Sequence, residues 1–466
     1  MLIGSLVVMF GVWLMLPVPA LTASIPPLSR PAPLAGLPWL SVENQRIVDP
    51  QGRIVVLRGF NDDALLESTV QPAPLDDTDA RLMRDSGFDV VRLPIAWSLL
   101  EPQQGSFSSA YLDRIAAAVA LLNSHGLYVV LDMHSLGWSP AYGGSGAPVW
   151  ATVPGIPDPV WGPMPSGLRF LSPAINVSTA YFWLTSGWQD QYLATWQFVA
   201  KRFRDTSGVA GYDLINEPHA LPLLPLRFDK DDLWPFYQRA VESVGAVDPN
   251  HLFFLDNDMA PIVPNVVVPL QAPNLVYAPH VYTGSLLPPY FSGDGTAVRG
   301  EVQELSGQAA SIPAALWFGE FSIDMHSSDA AGWVTDILND FDDEDAGWAW
   351  WQWRETSGYG IRSADGMSID MSSLELLARP YLAAVPSGVV AGHGDGVRGS
   401  LLISVFADHS SAPIVAAWPE FTLGTPVVSS DCGAQSTWDA VAAQLTITAP
   451  QGRYCTIQLR ADGAQS

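Results

Sequence analysis

Two glutamates stand where apolar runs end. Leu214-Ile215-Asn216-Glu217-Pro218 closes one run, and Trp317-Phe318-Gly319-Glu320-Phe321 closes another. A pair of carboxylates facing each other across a substrate can cleave a glycosidic bond. One protonates the leaving oxygen, and the other attacks the anomeric carbon or activates water. Other runs end in residues that such chemistry can use: Asn61, Arg92, His134, Asn216, His280, Tyr282 and Trp351. Each alone has an ordinary explanation, such as a salt-bridged Arg92, a core His134 or a packing Trp351. Their shared position at the ends of successive runs is what singles them out. Metal chemistry is the competing use of such acids. His134 and His280 are available for it, but the chain has no HExxH and no acidic cluster at ligand spacing, so no metal is expected.

The runs themselves have a regular beat: 53–61, 89–95, 127–134, 211–216, 251–257, 274–282, 315–321 and 347–353. Helical periodicity fills several intervals, as in AYLDRIAAAVALLNSHG and DQYLATWQFVAKRF. Continuous apolar strands alternating with amphipathic helices predict a parallel sheet covered by helices. Eight such units predict a closed (β/α)8 barrel over residues 39–383. In that fold the strand C-termini converge on one mouth, and strands four and seven face each other across it. A doubly wound open sheet is the alternative, but no Gly-rich phosphate loop follows any strand. The preceding NQRIVDPQGRIVV reads as a hairpin over the barrel floor.

The chain has 466 residues, with 47 acidic and 22 basic side chains and a formal net charge of −25. That balance excludes a nucleic-acid partner, since phosphate binding needs clustered Lys and Arg. Residues 1–23 read as a signal peptide, with an uncleaved anchor as the alternative, and 24–38 as a Pro-rich linker. A secreted location is therefore expected, in which Cys432 and Cys455 are free to pair as a disulfide. From residue 384 to 466 the texture changes to short alternating segments and frequent turns. This predicts a small antiparallel β-sandwich, which could bind carbohydrate but more commonly packs on the barrel.

The blocks VVRLPIAW, LDMH, LINEP, PHVY, WFGEF and WAWWQW, in that order, resemble glycoside hydrolase family 5. DMH followed by GAPVWA, FWLTSGWQDQYLATWQFVAKRF and GYDLINEP resembles its endoglycoceramidase branch, over roughly residues 40 to 385. The resemblance implies that Glu217 is the acid/base and Glu320 the nucleophile of a retaining mechanism, with carboxyls about 5–5.5 Å apart. It further implies that Arg92 and Tyr282 hold Glu320 ionised. Asn216 would bond the sugar 2-hydroxyl, and His134 other hydroxyls, while His280 would orient Glu217 or the sugar. Trp351 would floor the sugar site, and Asn61 would take part in substrate binding. No cofactor or obligate protein partner is implied.

Enzymes of that branch cut between a glycan and a ceramide, so one side of the site must accept lipid. HALPLLPLRF directly after Glu217 supplies Leu221, Leu223, Leu224 and Phe228, and GAPVWATVPGIPDPVWG supplies Trp150 as a facing wall. These loops could instead pack on each other over the rim. The implied partner is a glycolipid met at a micelle or membrane surface. Members of the branch that favour lactosyl- and ganglio-type lipids carry Lys after the strand-one Asn and Gln-Asp after DMH. This chain reads FNDDALLES and DMHSLGWSP, which leaves the sugar open. A galactosylceramide-type preference, glucosylceramide or steryl glucosides, and a secreted endo-β-glucanase all remain open. A catalytically silent glycolipid-binding barrel is the alternative of another class.

Overall fold

The computed structural model describes residues 36–66, 74–156, 172–220, 228–259, 265–287, 289–355, 357–386, 389–395 (backbone only), 399–406 and 412–462. The expected signal peptide, most of the linker, Leu221, Leu223 and Leu224 lie outside these residues.

A closed barrel of eight parallel strands forms the body. In chain order its strands are Arg58–Asn61, Val90–Ile95, Tyr128–Met133, Val209–Asp213 and Leu252–Leu255, then a sixth in two pieces, Leu275–Tyr277 and His280–Val281. Ala314–Phe321 and Gly347–Trp350 complete the ring, the last pairing with the first. Nearly every strand residue is buried, because helices cover the outer face and side chains fill the inner one. This two-sided burial is why the strands appear in the sequence as unbroken apolar runs. Helices Ser109–Ser124, Ser186–Phe203, Trp234–Gly245, Thr296–Ser311 and Ala330–Asp343 belong to the outer ring.

The barrel interior has two levels. Below, Val90, Val130, Ala210, Leu252, Phe254, Val276, Ala315, Trp317 and Ala349 pack together, plugged from the floor by Leu40 and Ile47. Above, the same inward faces turn polar. Val90 is followed two residues on by Arg92, Val130 by Asp132 and Phe254 by Asp256, as strand alternation requires. Strand seven breaks that rule. Ala315 and Trp317 point into the barrel while Phe318 and Phe321 pack in the outer core. A register shift between Phe318 and Phe321 supplies the extra residue that turns Glu320 inward.

The C-terminal segment is a two-sheet antiparallel sandwich. One sheet holds Val389–Asp395, Ser400–Phe406, Tyr454–Ala461 and Pro426–Ser430. The other contains Tyr381–Val385, Ile414–Ala417, Gln444–Thr448 and Gln435–Asp439. Leu401, Ile403, Val405, Ile414, Ala416, Trp418, Ile447, Ile457 and Leu459 fill the space between them, and Cys432 is disulfide-bonded to Cys455 beside this core.

The floor hairpin differs from the expected division. Ser41–Glu43, Arg46–Val48 and Ile54–Val55 form three strands that extend the second sheet, with Val55 opposite Ala384 and Ile54 opposite Val385. The boundary expected at 384 therefore falls inside a strand, and the first strands of the expected barrel unit are shared with the sandwich. Pairing partners more than 300 residues apart leave no local sign in either segment.

Candidate active site

Arg92 organises the mouth from strand two. Its side chain is wholly buried, and every guanidinium nitrogen has a partner. Nε donates to Asp213 Oδ2 at 2.8 Å, and Nη1 donates to Asn61 Oδ1 at 3.0 Å and Glu320 Oε1 at 2.6 Å. Nη2 donates to Asn216 Oδ1 at 2.8 Å and lies 3.1 Å from Asp132 Oδ1. Arginine alone offers five donors in a rigid planar fork, which suits a hub of this kind. Asn61 is also fully buried, and its amide donates to the carbonyls of Gly319 and Ala349 at 3.0 and 3.2 Å. Both residues were expected to bind substrate; both side chains are fully buried and hydrogen-bonded to neighbouring groups of the mouth.

Glu320 is held from both sides. Tyr282 Oη donates to its Oε2 at 2.9 Å, opposite the Arg92 contact at Oε1. Two donors and a neighbouring positive charge are what a carboxylate nucleophile needs. Glu217 sits differently. Its side chain is 23 % exposed and touches His280 Nδ1 through Oε1 at 3.0 Å. Burial raises its pKa above the ordinary glutamate range, against the opposing pull of His134 and Arg92. Its backbone lies in the left-handed region, with φ 44°. One carboxylate oxygen of Glu217 lies within 4.8 Å of one of Glu320, and a ring nitrogen of His280 within the same distance of both.

That trio could be read as a metal site. Both Glu320 oxygens already accept strong donors, however, and the Arg92 charge beside them disfavours a cation. The other close group among the described residues, Asp431 with Cys432 and Cys455, has its sulfurs tied in the disulfide.

Strands three and eight bring His134 and Trp351 to the mouth. His134 is buried, with Nδ1 2.7 Å from Asp132 Oδ2. Its ring stacks on Trp351 at 5.2 Å between centroids and 12° between planes. Trp351 is half-buried, and its peptide bond to Gln352 is cis. Asn216 uses Oδ1 for Arg92 and one amide hydrogen for Ser135 O at 3.3 Å, so its second amide hydrogen can serve a ligand. His280 is buried, and that burial lowers its pKa to about 3, so the ring is neutral.

Beyond Glu217 lies an aromatic wall. Trp183 donates through Nε1 to His219 O at 3.0 Å and meets Phe228 and Phe236 edge-on. Phe228, expected to face lipid, is only 2 % exposed because Trp183 covers it. Trp150 is half-buried, packed edge-on against Trp97 and bonded to Glu101 O at 3.0 Å.

Three residues were missed in the sequence: Asp132, Asp213 and Asp256. Asp132 and Asp213 flank Arg92, and burial raises the pKa of both against its charge. A usable signal existed for two of them. Asp132 and Asp256 follow the inward-facing Val130 and Phe254 by two residues, whereas Asp213 lies three after the inward-facing Ala210, beyond a register shift in strand four.

A family model described as cellulase (glycosyl hydrolase family 5) matches residues 48–357. Endoglycoceramidase I of Rhodococcus hoagii (strain 103S) is 31% identical over 271 residues, 54% of this chain and 54% of that protein. Endoglycoceramidase of Cyanea nozakii is 25% identical over 250 residues, 46% of this chain and 50% of that one. The matches thus span about half the length of these curated relatives. Among solved structures, endo-glycoceramidase II from Rhodococcus sp. superposes with a TM-score of 0.78 at 26% identity, covering 89% of this chain and 99% of that one. An endogalactoceramidase superposes with a TM-score of 0.74 at 27% identity, covering 91% and 100%.

Proposed function

The chain belongs to glycosyl hydrolase family 5, and on that premise we propose that it is a retaining glycosidase cleaving the β-bond between a sugar and a ceramide. The observation that carries the reading is the opposed pair Glu217 and Glu320, within 4.8 Å and in unlike surroundings. A separation near 5 Å suits direct attack, whereas inverting enzymes leave room for a water between carboxyls about 6.5–9.5 Å apart. Glu320 attacks the anomeric carbon while Glu217 gives its proton to the departing oxygen, and the carbon–oxygen bond breaks. Water then attacks the glycosyl ester, passing a proton to Glu217 and releasing Glu320. Asn216 and His134 bond the sugar, and Trp351 supports the apolar face of its ring.

The relatives named endoglycoceramidase support ceramide as the leaving group. Apolar side chains exposed in the segments that follow barrel strands also support it, namely Leu136, Val149, Leu286 and Tyr290, with Leu184 at the end of helix Pro173–Leu184. Such a rim fits an enzyme working at a micelle or membrane surface, where large exposed apolar area finds a partner. The Cys432–Cys455 disulfide supports an exported location. The likeness to an endogalactoceramidase, with Asp62 and Asp63 after Asn61, supports a galactosyl lipid as one substrate.

The test is hydrolysis of a panel with products resolved by mass: galactosyl-, glucosyl- and lactosylceramide, a steryl glucoside, a cello-oligosaccharide and an aryl glycoside. Free ceramide with an intact glycan is expected. Turnover of the cello-oligosaccharide alone would overturn the lipid part, and no turnover of any substrate would overturn the enzyme.

A further inference from the structure

We propose that Asp256 is the positioning residue of the acid/base. It stands directly after strand five, with its side chain fully buried. Its Oδ2 accepts the backbone N–H of Glu217 at 2.9 Å and lies 3.4 Å from His280 Nε2. The other ring nitrogen of His280 is 3.0 Å from Glu217 Oε1. That carboxylate oxygen therefore bonds the Glu217 backbone directly, and it stands close to, without hydrogen-bonding, the imidazole that contacts the Glu217 carboxyl.

The backbone contact explains a conformation the chain would not adopt unaided. Glutamate at φ 44° crowds its own Cβ against the backbone, and such a residue persists only where its surroundings impose it. Asp256 is itself immobilised. Its Oδ1 accepts the Asn257 N–H at 2.8 Å, and its carbonyl accepts Tyr237 Oη at 2.8 Å. A second tie runs alongside, from Met259 N–H to Pro218 O at 3.0 Å. The end of strand five thus fixes the direction in which Glu217 leaves strand four. His280 is fitted into the same corner. A Cβ on Gly319 would come within 2.9 Å of its Nε2, so only glycine there leaves room for the ring.

This role rests on Glu217 being the acid/base, and the experiment separates the two. Asp256→Ala, Asp256→Asn and Glu217→Ala are compared on β-glycosides with a poor leaving group (phenyl) and an activated one (2,4-dinitrophenyl). An acid/base that is misaimed is missed only where the leaving group needs its proton. For Asp256→Ala, the rate of glycosylation is expected to fall at least a hundredfold on the phenyl glycoside and less than threefold on the dinitrophenyl one. Equal loss on both would make Asp256 merely structural and overturn the proposal. Asp256→Asn preserves shape, but the two Asp256 oxygens accept the N–H groups of Glu217 and Asn257, and an amide can replace only one of those acceptors. This variant is expected to lower the phenyl-to-dinitrophenyl ratio at least fivefold, and an unchanged ratio overturns the proposal even if the alanine variant does not fold. Should Glu217→Ala show no dependence on leaving group, the acid/base assignment fails instead.

Discussion

Around Glu320 the protein supplies a guanidinium and a phenol as donors, and around Glu217 it supplies a neutral imidazole. The Glu320 end of the mouth is a lattice of hydrogen bonds in which Arg92 joins Asn61, Asp213, Asn216 and Glu320, and Tyr282 closes the far side. The Glu217 end has a neutral imidazole at Oε1 and a left-handed backbone. Under the proposed mechanism, two carboxyls of nearly the same intrinsic acidity have opposite tasks in these unlike surroundings. The nucleophile must enter the cycle as an anion, and the acid must enter it carrying a proton. The contrast shows that the division of labour is set by neighbours rather than by the glutamates themselves.

The strongest way to break this contrast is to remove the nucleophile. Glu320→Ala is expected to abolish turnover of every substrate, including activated aryl glycosides. Added azide should restore it as the inverted glycosyl azide, since a small anion can fill the vacated face. Recovery of a retained azide would reverse the two assignments. Glu217→Ala should cost about 10²–10⁴-fold on substrates with poor leaving groups and far less on activated ones. Its pH profile sharpens the point. The Glu217 pKa is raised, so in the parent the acid form survives above the ordinary glutamate range and activity falls as pH rises through the raised value. That descending limb should vanish in Glu217→Ala assayed on an activated glycoside, and its persistence would assign it to another group.

Arg92→Leu tests the charged end as architecture. Three carboxylates would lose the guanidinium that faces them, and breaking one buried pair typically costs about 3–5 kcal/mol. Denaturant unfolding should show a loss of that order, and a loss below about 1 kcal/mol would mean the acids reorganise freely. The smallest effect is expected at the rim. Val149→Ser with Leu184→Ser should raise the apparent KM for micellar glycosylceramide about tenfold, from roughly 1.5 kcal/mol of lost apolar burial. Soluble aryl glycosides should be unaffected, and equal impairment on both substrates would argue against a lipid-facing rim.

The charged end was the more legible one in the sequence. Parallel strands buried on both faces print themselves as apolar runs, so Asn61, Arg92, His134 and His280 could be located as polar residues at run ends. The inward alternation behind Asp132 and Asp256 was written in the same runs and went unused, while Asp213 is turned inward only by a register shift in strand four. Glu320 is instructive because strict alternation from Trp317 aims it outward, and only the register shift in strand seven turns it into the mouth. The lipid side was harder to read. Phe228 resembles its exposed neighbours in composition, but Trp183, on a helix far away in sequence, covers it. Such coverage depends on tertiary packing and has no local signature.

The sheet that the floor hairpin shares with the sandwich has a consequence for how the molecule is made. Residues 54–55 meet their partners at 384–385, and Tyr381–Val385 is in turn flanked by Ile414–Ala417. A chain emerging from the ribosome cannot complete this sheet until almost all of it has been synthesised. The plug of Leu40 and Ile47 beneath the barrel is anchored by that same late event. Truncation ahead of residue 381 would therefore remove the brace of the barrel floor along with the sandwich. The architecture thus ties closure of the barrel floor to synthesis of the last part of the chain.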